Sequence, residues 1–250
     1  MTTTLELTGA MLIGSADVHG AALGAGFVAS VTTGAGQLCT SPGLVFAVGD
    51  ASEFLAAVAG AVSAAPGAAM LTAGIRQSYA DGVARLAVGA TDGAIAECGR
   101  VGLYVTDGET FLADPTLQEE IFGATSLVVR VRDLAELDRI LDSLEGQLTA
   151  TVHAATADHP AAAALLPRLE LLAGRVLFGW PTGVEVGHAV VHDGPFPATS
   201  APSTTSVGTR AIERFLRPVS YQNVPDALLP EELRDGNPLA VPRLRDGSPE

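Results

Sequence analysis

Short apolar runs alternate with longer segments of helical spacing through most of the chain, and this alternation limits the possible folds. Strands are predicted at Leu44–Val48, Val101–Thr106, Ser126–Val131, Gln147–His153 and Arg175–Phe178. Helices are predicted before and between them, at Asp17–Thr33, Ala51–Ala65, Ala68–Ala87, Leu134–Leu144 and His159–Leu172. Strands that are separated by helices of ten or more residues are typical of crossover connections. The pattern therefore predicts an α/β fold with a mainly parallel, doubly wound sheet.

A few polar and small residues are predicted to mark the boundaries of these elements. Ser52 and Asp133 have the residue types that commonly cap a helix amino terminus. Asp107-Gly108 is predicted to form a turn, and Ala173-Gly174 to end the helix before it. The stretch Leu117–Gly123 is predicted to be an irregular connection that leads into the next strand.

Charge and cysteine content narrow the function classes. The net charge of −14, from 28 acidic against 14 basic residues, argues against nucleic acid or an anionic membrane as a partner. Two cysteines are too few for a disulfide framework, and no basic and apolar leader opens the chain. The uncharged stretch Phe54–Ile75 is broken by Pro66-Gly67, which favours buried helices over a membrane span. The sequence predicts a soluble, cytoplasmic protein.

Cys39 lies in the glycine-rich segment Gly34–Gly43, between a predicted helix and a predicted strand. Glycines allow backbone amides to approach a reacting atom closely. A thiolate there could attack a carbonyl group, and nearby N–H groups could hold the resulting oxyanion. The alternative is that Cys39 is a small buried hydrophobic residue, as most cysteines are. Cys98 has no comparable surroundings and is predicted to be structural.

Gly24-Ala-Gly-Phe-Val-Ala29 matches the loose dinucleotide pattern Gly-x-Gly-x-x-Ala. That pattern binds a pyrophosphate only where it follows a strand and opens a helix, and here no strand is predicted before it. Close helix packing is therefore the preferred interpretation of these glycines.

Histidine and glutamate pairs offer weaker candidate sites. His188 and His192 are four residues apart, but the region is rich in glycine and proline and lacks a zinc-site pattern, so no metal is predicted. A hydrolase pair of Cys39 with either histidine is conceivable. Glu119 and Glu120 are either a solvated acidic pair or face a ligand.

Taken together, several segments resemble the second half of the aldehyde dehydrogenase superfamily, and α-ketoglutarate semialdehyde (2,5-dioxopentanoate) dehydrogenases in particular. The resemblance covers about residues 20 to 238 and rests on motifs in the family's order. These motifs are Gly36–Leu44, Glu119–Gly123, Gly174–Val186, His192–Thr199, Thr204–Gly208 and Arg214–Gln222.

The resemblance implies a role for individual residues. Cys39 matches the family's nucleophile, and its backbone amide matches one donor of the oxyanion hole. Glu120 matches the carboxylate that binds the ribose of the nicotinamide in NADP or NAD, and Phe122 matches the aromatic residue beside it. Segments Trp180–Val186 and His188–Thr199 match the walls of the substrate funnel.

Within and near these segments, Thr40, Val184 and His192 are the candidate substrate contacts. Glu6 is the candidate general base, although the Asn-Pro that usually follows this glutamate is absent. Family members are about twice as long, and their amino-terminal half supplies the dinucleotide-binding domain, which this sequence lacks.

The predicted organisation has four parts. Residues 1–16 are unlike the family, 17–206 form the catalytic domain, 207–224 an oligomerisation arm and 225–250 a polar tail. The predicted function is oxidation of 2,5-dioxopentanoate to 2-oxoglutarate through a Cys39 thioester, in a homo-oligomer or with a separate amino-terminal half. The alternatives are a truncated, non-catalytic module that pairs with a full-length paralogue, or a cofactor-free esterase that uses Cys39.

Overall fold

The computed structural model describes residues 7–13, 20–89, 101–179, 194–197, 202–205 and 208–250. The chain divides into two compact units, Met1–Ala211 and Ile212–Glu250. The first unit contains the sheet and the helices that pack on it.

The first unit is built on a parallel sheet whose six strands are in the order β3-β4-β2-β1-β5-β6. The strands are β1 (Leu7–Ile13), β2 (Leu44–Val48), β3 (Gly102–Asp107), β4 (Thr125–Val131), β5 (Gln147–His153) and β6 (Ala173–Phe178). The helices are α1 (Gly20–Thr32), α2 (Ser52–Ala64), α3 (Ala73–Gly89), α4 (Gly108–Ala113), α5 (Leu134–Ser143) and α6 (His159–Leu172). All five strand pairings in this sheet are parallel, which confirms the predicted fold class.

Apolar side chains cover both faces of the sheet. On one face, Phe27 of α1 and Val58 of α2 pack with Val45 of β2 in one buried cluster. On the other face, Ile140 of α5 and Leu169 of α6 belong to a second cluster with strand residues such as Phe46 and Val129. Burial of apolar surface on both sides explains why the strands are short, nearly continuous apolar runs.

The sheet contains one strand that the sequence analysis did not predict. β1 (Leu7–Ile13) lies between β2 and β5 and comes from the stretch that was set apart as unlike the family. Its sequence, Leu-Thr-Gly-Ala-Met-Leu-Ile, contains glycine and alanine and lacks a run of β-branched residues, so its strand signal is weak.

Two predicted helix starts are corrected by hydrogen bonds at the helix amino termini. Ser52 does not cap α2: Ala51 is the N-cap residue, and the side chain of Asp50 accepts a 2.9 Å hydrogen bond from the Ser52 amide. The helix predicted from Ala68 begins at Ala73, where the Thr72 hydroxyl accepts a hydrogen bond from the Ile75 amide at 3.1 Å.

The boundaries at two strands also differ from the prediction. Asp107-Gly108 is not a simple turn, because Asp107 caps the short helix α4 and its carboxylate accepts a 2.8 Å hydrogen bond from the Thr110 amide. Ala173 is the C-cap residue of α6, as predicted, but β6 also begins there, two residues earlier than predicted. The predicted N-cap at Asp133 is confirmed, since its carboxylate accepts from the Glu136 amide at 2.8 Å.

The second unit, Ile212–Glu250, is held largely by polar contacts. The guanidinium of Arg243 donates to the backbone oxygens of Arg234 and Asp235 at 2.6 and 2.9 Å. Strands β7 (Leu244–Arg245) and β8 (Ser248–Pro249) form a short antiparallel hairpin. Several large apolar side chains are exposed near the start of this unit: Ile212, Phe215, Leu216, Val219 and Tyr221.

Candidate active site

The chain turns sharply between α1 and the segment that carries Cys39. After α1 ends at Thr32, Gly34, Ala35 and Gly36 follow one another with φ angles of 61°, 59° and 68°. This left-handed backbone favours glycine and costs about 1–2 kcal/mol at a residue with a Cβ atom, such as Ala35. Backbone strain of this kind is common next to functional groups.

Gly36 brings the Cys39 segment against the stretch that precedes β4. A Cβ atom at Gly36 would lie 2.2 Å from both the amide nitrogen of Ala124 and the carbonyl carbon of Gly123. The two backbones are therefore in direct contact, and only glycine fits at this position. The contact continues at the strand entrances, where the Leu127 amide donates to the Gly43 oxygen at 2.8 Å.

The parallel sheet explains why these two motifs meet. Cys39 precedes β2 and Glu120 precedes β4, and β2 and β4 are neighbours with Leu44 opposite Leu127. Because parallel strands start at the same edge, both motifs lie at the amino edge of the sheet. A small cavity of about 40 Å³ separates them. Its walls include Gly36, Leu38 and Ser41 on one side and Glu119, Glu120 and Phe122 on the other.

The candidate reactive groups differ in exposure. Cys39 carries a reduced, exposed thiol, whereas the following residue, Thr40, is only 5% exposed. Phe122 is 39% exposed, which is high for a large aromatic side chain and leaves part of its ring open to a ligand. The structure thus brings Cys39, Thr40, Glu120 and Phe122, four of the predicted site residues, to one edge of the sheet.

Helix α3 supports the Glu119–Gly123 segment along its length. Arg85 forms an ion pair with Glu119 at 3.6 Å. One turn earlier, Gly82 lies so close to Ile121 that a Cβ atom would be 3.0 Å from its side chain. Small residues on α3 therefore let the segment approach the helix closely.

Tyr79 fixes the end of this segment. Its ring covers Gly123, where an added Cβ atom would lie 2.2 Å from the ring. Its hydroxyl donates to the Ala124 oxygen at 3.2 Å and accepts from the Thr125 hydroxyl at 2.8 Å. The sequence shows Tyr79 only as one apolar position of a helix, so its contact with the site could not be read from spacing.

Gln37 ties the Cys39 segment to the connection between α2 and α3. Its side-chain oxygen accepts a 2.9 Å hydrogen bond from the Leu71 amide, and its side-chain nitrogen donates to the Gly34 oxygen at 3.0 Å. Gln37 belongs to the motif around Cys39, but its partner at Leu71 is 34 residues away and is visible only in the fold.

The other predicted site residues lie outside the described residues. This applies to Glu6, the candidate general base, and to Val184 and His192, the candidate substrate contacts. The strand that follows Glu6, β1, pairs with β2 with Gly9 opposite Leu44, so this strand also begins at the amino edge. Glu6, Val184 and His192 stay predictions.

Gly24, the first glycine of the pattern in α1, has the packing role that was preferred for it, although a strand, β1, does precede this helix. A Cβ atom at Gly24 would lie 2.7 Å from the Cβ of Ala57 and 2.9 Å from the amide nitrogen of Val58. Gly24 therefore allows α1 to pack closely on α2.

In the parts of the chain that the structure describes, no cluster of three His, Cys, Asp or Glu side chains is placed to hold a metal ion.

Comparison with curated proteins finds relatives of the kind that the motifs indicate. The chain is 52% identical over 243 residues to alpha-ketoglutaric semialdehyde dehydrogenase 2 of Azospirillum brasilense, covering 93% of this chain and 46% of that protein. It is 46% identical over 233 residues to an alpha-ketoglutaric semialdehyde dehydrogenase of Acinetobacter baylyi, covering 88% and 44%. The chain thus spans about half the length of these relatives. No family model matches it.

Solved structures share the fold. A 3,6-anhydro-L-galactose dehydrogenase in complex with NAP matches with a TM-score of 0.63 at 20% identity, over 85% of this chain and 47% of that one. A 1-pyrroline-5-carboxylate dehydrogenase from Thermus with bound NAD matches with a TM-score of 0.56 at 16% identity, over 71% and 36%. Within the described residues, every helix is too short or too polar to cross a membrane.

Proposed function

Because the resemblance to the aldehyde dehydrogenase superfamily is confirmed over nearly the whole chain, we propose that this chain is the carboxy-terminal catalytic portion of an NAD(P)-dependent semialdehyde dehydrogenase. The proposed substrate is 2,5-dioxopentanoate, and the product is 2-oxoglutarate. The observation that carries the proposal is the backbone contact at Gly36, which brings the segment that contains Cys39 against the segment that contains Glu120 and Phe122.

Cys39 is the proposed nucleophile. Its exposed thiol allows an aldehyde to approach, and attack of the thiolate on the aldehyde carbon gives a thiohemiacetal. The Cys39 backbone N–H is the proposed donor to the oxygen that becomes negative in this step. Oxidation leaves the acyl group on sulfur as a thioester, and attack of water on that carbonyl releases the acid and restores the thiolate.

The described residues fit one part of a nicotinamide cofactor. The carboxylate of Glu120 offers acceptors for ribose hydroxyls, and the exposed face of Phe122 can contact the flat nicotinamide ring. A bound nicotinamide supplies the hydride acceptor for the oxidation. The solved relatives that hold NAP and NAD support this cofactor class.

Three helix amino termini that follow strands are unsuited to the cofactor's phosphates. The connections that lead from strands into α2, α4 and α5 carry Asp50, Asp107 and Asp133, whose side chains occupy the helix amino termini. A carboxylate at such a position repels a phosphate instead of binding it. We therefore propose that a part corresponding to the amino-terminal half of the A. brasilense relative holds the phosphates, since this chain spans only 46% of that protein.

Exposed apolar side chains in the second unit support a proposal of self-association. Five large apolar residues from Ile212 to Tyr221 are 48–82% exposed, and exposed apolar side chains that are close in sequence are candidates for contact with another protein. The proposed partner is a second copy of this chain. A monodisperse monomer in light scattering would contradict it.

The main test is reconstitution. This chain is mixed with the amino-terminal half of the A. brasilense relative, and reduction of NADP or NAD is followed with 2,5-dioxopentanoate as substrate. Activity is expected only in the mixture and is expected to vanish with Cys39→Ala. Activity that survives this substitution would show that the nucleophile is misassigned.

The adjacent glutamates provide a matched pair for the cofactor site. Glu120→Gln is expected to raise the KM for the cofactor about tenfold or more, since it weakens a charge-assisted hydrogen bond. Glu119→Gln removes only an ion pair with Arg85 between two largely exposed side chains, and is expected to change this KM less than about threefold. Equal effects of the two substitutions would count against the assignment of Glu120.

The exposed Cys39 thiol also favours a second candidate function, that of a cofactor-free esterase. The chain alone would then cleave p-nitrophenyl acetate, and Cys39→Ala would remove the activity. Turnover at the rate of the Cys39→Ala variant would exclude this function without affecting the dehydrogenase proposal.

A further inference from the structure

A larger cavity lies beside the contact between the Cys39 segment and the Glu119–Gly123 segment. Its volume is about 310 Å³, close to the lower limit for small-molecule sites. Its walls come from the end of α1, the connection between α2 and α3, the first turns of α3 and the starts of β3 and β4. It is separate from the small cavity that Glu120 and Phe122 line.

The lining is mainly apolar, with three polar side chains: Thr32, Arg76 and Tyr79. The hydroxyl of Thr32 donates to the Val28 oxygen at 2.8 Å, and that of Tyr79 donates to the Ala124 oxygen at 3.2 Å. Both hydroxyl groups therefore donate their hydrogen bonds to backbone oxygens of the chain itself. Arg76 differs, because its guanidinium forms no ion pair with any residue that the structure describes, although the chain has twice as many acidic as basic residues.

We propose that this cavity binds a small monocarboxylate with a branched or cyclic apolar body. Arg76 is exposed and so lies at the mouth of the cavity, where its two parallel N–H groups match the two oxygens of a carboxylate. The apolar lining, which includes the buried Val101 and the more accessible Pro66 and Met70, suits a hydrocarbon group. A single guanidinium balances one negative charge, which favours a monoanion over a phosphate.

Two walls of the cavity belong to the candidate active site. Ala35 comes from the strained turn before Cys39, and Ala124 follows the segment that carries Glu120. The connection that forms a third wall is tied to the Cys39 segment by the hydrogen bond from Leu71 to Gln37. An occupant of the cavity therefore restricts the turn on which Cys39 is mounted, and binding alters the reactivity of the thiol.

Binding is tested with the full chain and three probes: 4-methylpentanoate, the uncharged 4-methyl-1-pentanol, and acetate, which lacks the apolar body. Calorimetry is expected to show binding of 4-methylpentanoate at least tenfold tighter than of the other two. Arg76→Gln is expected to weaken it at least tenfold, and Arg168→Gln, on α6, to leave it unchanged. No binding of 4-methylpentanoate, or equal binding by the Arg76→Gln variant, would overturn the proposal.

The effect of cavity binding on the Cys39 thiol is measured separately, in an experiment that needs neither the cofactor nor the amino-terminal half. The rate at which iodoacetamide alkylates Cys39 is measured by peptide-resolved mass spectrometry with and without 4-methylpentanoate. At a saturating concentration the rate is expected to change at least twofold in the wild-type chain and to stay constant in the Arg76→Gln variant. Binding with no change in the wild-type rate would overturn the coupling. Neither calorimetry nor alkylation requires turnover. A failed reconstitution of dehydrogenase activity would therefore not affect the result of either measurement.

Discussion

The two edges of the parallel sheet differ in the contacts that hold them: backbone contacts at glycines at one edge, and side-chain carboxylates at the other. At the amino edge, the segments that hold Cys39 and Glu120 meet through backbone at Gly36 and Gly123, with three consecutive left-handed residues beside them. At the carboxyl edge, the strands lead into helices through capping carboxylates: Asp107 before α4 and Asp133 before α5. The first edge carries cavities and an exposed thiol, and the second carries dense polar contacts.

The carboxyl edge is further stabilised by a buried carboxylate. Glu136 is 2% exposed, accepts a 2.7 Å hydrogen bond from the Arg132 amide and lies 3.2 Å from the Arg132 guanidinium. Ligands of open parallel α/β sheets usually bind at the carboxyl edge. Here the amino termini of α4 and α5 at that edge are capped by the chain's own acids, and the candidate chemistry lies at the opposite edge. The difference indicates that one edge holds the fold while the other positions the candidate reactive groups.

The largest expected effect is at the backbone contact of the amino edge. Gly36→Ala adds a Cβ atom 2.2 Å from backbone atoms at a φ of +68°. We expect a loss of about 3–5 kcal/mol in the free energy of unfolding, from overpacking together with left-handed strain. Urea denaturation measures the loss, and Cys39 alkylation reports the local change.

Gly34→Ala is the matched control for this contact. Gly34 has a similar φ of +61°, but a Cβ atom there would meet only the Leu38 side chain, at 3.5 Å. We expect a loss of only about 1–2 kcal/mol, from the backbone strain alone. Equal losses at the two glycines would mean that the close contact at Gly36 contributes nothing.

The next effect concerns His153, the last residue of β5, at the carboxyl edge. Burial lowers the pKa of His153 from 6.5 to about 4. The unfolded chain therefore binds a proton at this residue before the folded chain does, so stability is complete above pH 6.5 and falls as the pH decreases towards 4. We expect His153 to contribute a loss of about 2 kcal/mol between pH 7 and pH 5.

The contribution of His153 is isolated by comparing variants. Urea denaturation of His153→Gln over the same pH range is expected to show a flatter profile than the wild type. His159→Asn, which changes an exposed histidine at the start of α6, is the control for the loss of a histidine elsewhere in the chain. A wild-type slope in the His153→Gln variant would contradict the prediction.

A smaller effect is expected at the helix cap of the carboxyl edge. Asp133→Ala removes the acceptor for the Glu136 amide and is expected to cost about 1 kcal/mol of unfolding free energy. Asp133→Asn keeps an acceptor and should lose less. If this edge only holds the fold, neither variant changes the alkylation rate of Cys39 under native conditions. A changed rate would break the division between the two edges.

The sequence was sufficient to predict the bounds of those helices and strands whose local residue preferences and pattern of buried residues favour the same structure. The strands Leu44–Val48 and Gln147–His153 and the helix His159–Leu172 have the predicted bounds, because apolar runs, β-branched residues and a proline at the first helical turn all favour the observed structure. The strand Leu7–Ile13 was missed, because its place in the centre of the sheet comes from its neighbours and not from its own composition.

The candidate site was predictable in part, because its two motifs are local in the sequence. The motifs around Cys39 and Glu120 are visible in sequence, and parallel strand order then brings their strand starts together. The supports are long-range: Tyr79 contacts Gly123 and Thr125, 44 and 46 residues further along the chain, and Gln37 reaches Leu71. No periodicity encodes such contacts, because they depend on how helix α3 lies along the Glu119–Gly123 segment.

The smallest effect tests whether glycine is needed for contact or is merely tolerated. Gly60, in the interior of α2, has no atom within 4 Å of an added Cβ, and Gly60→Ala is expected to stabilise the chain by about 0.5–1 kcal/mol through helix propensity. Gly24→Ala, on the facing helix α1, is expected to have the opposite sign, because its Cβ would lie 2.7 Å from that of Ala57. Thermal denaturation of both variants measures the two signs. Destabilisation by Gly60→Ala would show that alanine is unfavourable even at a glycine with no neighbouring atoms. A loss of unfolding free energy in Gly36→Ala could then no longer be attributed to the backbone contact at the amino edge.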